Sequence, residues 1–169
     1  MGNMVGDYLS EKFDWGEHKI SASGVNLAGY DIHQTLDEAQ KFCTRIAKSH
    51  YENFIISNWF TPKDIKQHIE NIYAFCRFGD DLGDDAPFPP EERFLLLDEW
   101  ENDLKRGFED EWNGNPRHPI IIAISHTARN FSIPIDPFVK LIKAFKMDQS
   151  KTRYHTWDEL REYCINSAD

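Results

Sequence analysis

Apolar residues recur along most of this chain at the three- and four-residue spacing of an amphipathic helix, and no useful length shows the alternation of a strand. Residues 1–34 are the exception: glycines are scattered among polar residues there, and the stretch reads as a weakly ordered leader. Thr35-Leu36-Asp37-Glu38 is a capping box that starts a helix running to about Ser49, with Ala39, Phe42, Cys43, Ile46 and Ala47 as its apolar side. Thr61-Pro62 opens a second helix, with threonine as N-cap and proline at the first helical position. Pro90 or its neighbour opens a third through Phe94, Leu95, Leu97, Trp100, Leu104 and Phe108, and Pro119 starts a strongly apolar fourth. Asp136-Pro137 begins a fifth with Phe138, Leu141, Ile142 and Phe145 on one face. A second capping box, Thr156-Trp157-Asp158-Glu159, starts the last, through Leu160, Tyr163, Cys164 and Ala168. Five or six capped helices without repeats predict an all-α bundle over residues 35–169.

The second helix carries the chemistry. Its stretch Ile72-Tyr73-Ala74-Phe75-Cys76-Arg77-Phe78-Gly79-Asp80-Asp81-Leu82-Gly83-Asp84-Asp85 places Tyr73, Arg77, Asp80 and Asp84 on one stripe. Ile65, Ile69, Ile72 and Cys76 form an apolar face beside it, and Phe75, Phe78 and Leu82 add apolar surface on the far side. That makes the helix central, with its acid stripe bordering the core, and turns Asp81 and Asp85 by about 100° toward the more exposed side. Two carboxylates one turn apart at a core edge repel each other, and burial without partners would protonate them. A hard cation removes the conflict, because Mg²⁺ takes one or two carboxylates and completes its shell with water and phosphate oxygens. Gly79 and Gly83 each cost roughly 1 kcal/mol of helix stability relative to alanine, which points to close approach by another group. The competing reading is a solvated acidic helix end whose glycines belong to a turn.

Composition narrows the partners. The formal net charge of −10 argues against nucleic acid and against electrostatic docking on anionic lipid. A diphosphate is still admissible, since bound Mg²⁺ reverses the local sign of charge. The three cysteines, Cys43, Cys76 and Cys164, lie in helical apolar patterns with no C-x-x-C pair, as expected of free thiols in a reducing cytoplasm. The seven histidines form no zinc-type cluster. No apolar run approaches the ~18 residues of a membrane span, and no basic-then-apolar leader marks a signal peptide.

Several separated motifs occur in a telling order: Glu52-Asn53-Phe54, Trp59-Phe60-Thr61-Pro62, Ile72 through Arg77, then Asp80-Asp81 with Asp84. From about His50 onward the chain resembles the squalene/phytoene synthase family, and in wording the bacterial branch that makes squalene or hydroxysqualene for hopanoids. The resemblance implies an isoprenoid-synthase-type helical bundle that joins two prenyl diphosphates head to head with Mg²⁺. Asp80 and Asp84, with Asp81, fall on the family's first aspartate-rich motif and stand as metal ligands. Arg77 is placed at the carboxylates or the diphosphate, or pairs with the acids structurally. Tyr73 would put a hydroxyl in the same cavity, or packs in the core. His50 and Asn53 match polar positions that face the diphosphate, or cap helix ends; Tyr51 stands where relatives often carry serine. Asp148 matches an acid at the diphosphate end of the cavity, or pairs with Lys151. Tyr163 matches a cavity tyrosine that steers the carbocation or assists proton transfer, against a plain packing role. An apolar product would add peripheral association with the inner membrane. The family also contains non-catalytic assembly or scaffold proteins in which the acid motif is eroded, and intact Asp80, Asp81 and Asp84 favour the enzyme. A second aspartate-rich motif, expected beyond Asp169, is not in this sequence, so the 169-residue chain is expected to be a weak or inactive N-terminal portion.

Overall fold

The computed structural model describes residues 19–21, 24–26, 35–49, 62–84, 86, 88–109, 118–151 and 153–168. Two short antiparallel strands, β1 (Lys19–Ser21) and β2 (Gly24–Asn26), pair with Ile20 opposite Val25. Strands of three residues are too short to leave a periodic signal, so sequence reading assigned that stretch no element. Six described helices follow: α1 (Leu36–Ser49), α2 (Lys63–Asp84), α3 (Pro90–Phe108), α4 (Pro119–Phe131), α5 (Asp136–Asp148) and α6 (Trp157–Ala168).

The starts of these helices follow local chemistry. At α1 the Thr35 N–H donates to Glu38 Oε2 at 2.8 Å and the Glu38 N–H donates back to Thr35 Oγ1 at 3.3 Å, which closes the capping box. At α6 the Glu159 N–H donates to Thr156 Oγ1 at 3.2 Å, while Glu159 Oε2 accepts from the His155 N–H at 3.0 Å. Pro62 sits one residue before α2, not at its first helical position, and its carbonyl accepts from the Ile65 and Lys66 N–H groups.

Helix α2 is the axis of the bundle and packs against α1, α3, α4 and α5, while α6 lies on α5. Its deepest face is Ala74, Phe75, Phe78 and Leu82, all fully buried. Phe75 and Phe78 pack on Trp100 of α3 with ring centroids 5.4 and 4.5 Å apart, and Phe75 meets Phe138 of α5 edge-on at 5.2 Å. Ile72 and Cys76, expected on the main apolar face, are only partly buried against this core. Two apolar faces on one helix look equivalent in sequence, and the aromatic neighbours decide which lies deeper. Polar side chains lock the helices in register. Buried Asn71 donates to Thr127 Oγ1 at 3.0 Å and to the Ala123 carbonyl at 3.3 Å on α4. On the α1 side, Thr44 donates to Glu70 Oε2 at 2.6 Å.

Close approach at the glycines comes from neighbouring helices. A Cβ on Gly79 would lie 2.6 Å from Phe145 Cε2, and one on Gly83 would lie 3.1 Å from Gln149 Nε2, so α5 seats its C-terminal end against α2 here. The tightest crossing is α3 on α4, where a Cβ on Gly107 would sit 2.3 Å from Ser125 Oγ and 2.7 Å from Ile121 Cγ2. Gly107→Ala is therefore expected to destabilise the fold by about 1–2 kcal/mol, overpacking outweighing the gain in helix propensity. Chemical denaturation measures it, and a variant as stable as the parent would show that the two helices separate freely.

Candidate active site

The acidic end of α2 is built by a helix terminus held from outside. Arg93 of α3 reaches back, its Nη1 donating to the Gly83 carbonyl at 2.8 Å and the Asp84 carbonyl at 3.0 Å, while its Nε donates to the Phe88 carbonyl at 2.8 Å. The Ala86 N–H closes the end on the Asp81 carbonyl at 2.9 Å. Two of the carbonyls a helix leaves unsatisfied thus find a guanidinium, and the last turn with its acids is fixed in place. Sequence reading missed Arg93 as a positioning residue. An arginine inside a surface-type helix carries no pattern that says which carbonyls it will meet.

Within the last turns of α2, Arg77 forks between two acids. Its Nη2 donates to Asp81 Oδ1 at 2.5 Å and its Nη1 to Asp80 Oδ2 at 3.3 Å. Asp81 is 2 % exposed, Asp80 44 % exposed, and Asp84 exposed. This reverses one expectation: Asp81 is the buried acid of the motif, whereas Asp80 and Asp84 face outward. The reason is helical phase. Asp81 shares a stripe with fully buried Ala74 and Phe78, next to fully buried Leu82. Tyr73 shares the stripe. Burial pushes its phenol up, Arg77 opposes that, and Asp81 and Asp80 add to it, so the four groups feel one another.

A second group gathers at the same end of the bundle. The Tyr163 hydroxyl of α6 donates to Asp148 Oδ2 of α5 at 3.0 Å. Burial raises the Asp148 pKa, the Tyr163 hydrogen bond lowers it, and the charge of Asp84 raises it again. Burial and the Asp148 hydrogen bond push the Tyr163 phenol up to about 12. Lys151, the alternative partner considered for Asp148, pairs instead with Glu159 at 3.3 Å. His50 and Asn53 lie outside the described residues. His126 is satisfied on α4, its Nε2 meeting Asn130 Nδ2 at 3.0 Å.

A raised phenol pKa gives a test of this geometry. A group that holds its proton more tightly when folded contributes stability that is full below the unfolded pKa near 10 and is lost as pH rises through the folded value. Stability is therefore expected to fall between about pH 10 and pH 12, and to fall less steeply in Tyr163→Phe. Denaturation midpoints across that range would show it. An identical slope in the variant would place the phenol in free solvent.

Among the described residues, no three His, Cys, Asp or Glu side chains form a group that could hold a metal ion. What α2 offers is a pair of outward carboxylates one turn apart. No described helix is long and apolar enough to cross a membrane.

Comparison with known proteins places this arrangement. A family model described as squalene/phytoene synthase matches residues 30–169. The chain is similar to phytoene synthase of Arthrospira platensis, 32% identical over 134 residues that cover 79% of this chain and 42% of that protein. It is similar also to the chloroplastic phytoene synthase 1 of Solanum lycopersicum, 34% identical over 133 residues that cover 79% of this chain and 31% of that protein. The crystal structure of squalene synthase HpnC from Alicyclobacillus acidocaldarius matches with a TM-score of 0.67 at 37% identity, over 78% of this chain and 48% of that one. The chain thus spans less than half the length of these relatives. Fold and site together define an all-α bundle of isoprenoid-synthase type. The chain belongs to the squalene/phytoene synthase family.

Proposed function

We propose that this chain is the N-terminal part of a Mg²⁺-dependent transferase that joins two prenyl diphosphates of farnesyl type head to head, giving a squalene, hydroxysqualene or phytoene-class product. The observation that carries the reading is the outward pair Asp80 and Asp84, one turn apart at the end of the central helix. Hard oxygen donors spaced one turn apart suit Mg²⁺, which takes one or two carboxylates and leaves its other positions to water and phosphate oxygens. The Asp148 pKa is raised first by burial and less by the charge of Asp84, and a bound cation would favour its ionised form. When bound, the ion would supply positive charge to the diphosphate as it leaves.

The protein's own groups divide the remaining work. Asp81 and Arg77 form the buried strut that holds the last turns of α2, so Asp81 acts on the outward acids through position rather than as a ligand. The rest of the Arg77 fork lies beside Asp80 and suits phosphate oxygens. Tyr163 holds a proton at its hydroxyl at neutral pH and offers it toward Asp148. Tyr73 is the second phenol on the stripe. His50 and Asn53 remain assigned by motif to the diphosphate. Phe75 and Phe78 are fully buried in the core.

The test is release of pyrophosphate from farnesyl diphosphate or presqualene diphosphate, with Mg²⁺ and with EDTA. It is run on the 169-residue chain and on the product of the gene read through codon 169. Mg²⁺-dependent release by the longer product, with little from the shorter, supports the reading. A folded longer product that releases none overturns it.

A further inference from the structure

Gln149 ends α5, and Gly83 brings it to the acids. That glycine lies inside α2 without a positive φ, so the backbone conformation does not require it. On the helix it is turned about 60° from Asp80 and about 100° from Asp84, which makes it the flank of the acid turn. An added Cβ there would lie 3.1 Å from Gln149 Nε2, tighter than ordinary contact, with the Phe145 Cβ and carbonyl oxygen at 3.9 Å. The Gln149 carboxamide therefore rests against the backbone of the turn that carries Asp80 and Asp84.

The seat is held from the α5 side as well. Gln149 Nε2 donates to the Phe145 carbonyl at 3.0 Å. The Gln149 backbone N–H donates to the Lys146 carbonyl at 3.2 Å, and the Ser150 and Lys151 N–H groups donate to the Met147 carbonyl at 3.1 and 2.9 Å. Backbone and side chain are thus both fixed at this position. A carboxamide offers two N–H donors and one carbonyl acceptor. Among the described residues, Gln149 spends one N–H, on Phe145, and its side chain is only half-buried.

We propose that Gln149 is a further substrate-binding residue of the same site: its second N–H donates to an oxygen of the diphosphate that a cation holds on Asp80 and Asp84. A neutral donor suits this place. A lysine here would pair with the acids, whereas a carboxamide reaches a phosphate oxygen without competing with the cation for the carboxylates. Gly83 then has a reason to stand in a helix that alanine would favour, since it admits the amide. The inference rests on the reading that the outward acids take a metal-bound diphosphate.

Binding of inorganic pyrophosphate to the longer product in the presence of Mg²⁺, followed by titration calorimetry, tests it without turnover. Gln149→Ala is expected to raise the pyrophosphate Kd about tenfold. Gly83→Ala removes no polar group, yet it is expected to raise Kd about threefold by displacing the amide, and by less than about 1.5-fold in the Gln149→Ala background. An unchanged Kd in Gln149→Ala, or a Gly83→Ala effect of equal size in both backgrounds, would overturn the proposal. If thermal melting shows that Gln149→Ala does not fold, Gln149→Met, which keeps the stem and lacks the donors, takes its place in the cycle. A parent that neither binds pyrophosphate nor releases it from farnesyl diphosphate would count against the proposed function and this inference with it. A parent that binds, with Kd unchanged in the variant, counts against Gln149 alone.

Discussion

Replacing Asp80 and Asp84 together by asparagine in the longer product is expected to lower Mg²⁺-dependent pyrophosphate release at least about 100-fold while leaving the fold as stable as before. The stability half of this expectation comes from the helix itself. The last turn of α2 contains acids and no basic residue. Carboxylates there oppose the negative end of the helix dipole, and two of them one turn apart repel. Asp80 recovers part of that cost from Arg77 at 3.3 Å, and Asp84 is exposed. Neutralising both should leave stability within about 0.5 kcal/mol or raise it slightly. Acids that the helix would be better without are accounted for, on the proposed function, by a ligand. Thermal unfolding and kcat/KM measured on the same preparations check both halves. Retained release would remove the acids from the reaction, and loss of folding would make them structural.

Asp81 is expected to behave in the opposite way. Asp81→Ala should destabilise the protein by about 2–4 kcal/mol, the range for breaking a buried ion pair, reduced because Asp80 can take part of the orphaned charge. The carboxylate is 2 % exposed and meets an Arg77 that is 28 % exposed, so its loss leaves a guanidinium largely out of water. Urea denaturation with Asp80→Ala as the comparison separates the two roles. Equal stability of the two variants would mean that burial does not distinguish these neighbouring acids. The contrast has a functional side: one aspartate of the motif fixes the turn, and its neighbours face outward from it.

How far the residues themselves led is clearest at α2. Its helical period, its central place and its acidic end could all be read from spacing, because a helix of apolar residues on two faces must be covered on both. The starts of α1 and α6 were equally legible, since a capping box is a contact between residues three apart and needs no tertiary help. The ordered motifs gave the family. Asp81 shows where this stopped. Spacing gave the angle between Asp80 and Asp81 but could not say which flank Trp100 and Phe138 would cover. Gly79 and Gly83 announced a close approach, and only the packing shows that Phe145 and Gln149 make it.

Local order, then, belongs to the sequence: which segments are helical, where they begin, which carry acids, and to what family the wording belongs. Those features depend on neighbours a few residues apart. The tertiary structure decided the depth of each face, the capture of the α2 carbonyls by Arg93, and the pairing of Tyr163 with Asp148. These groups lie on different helices, and no periodicity within one helix records the angle at which another crosses it.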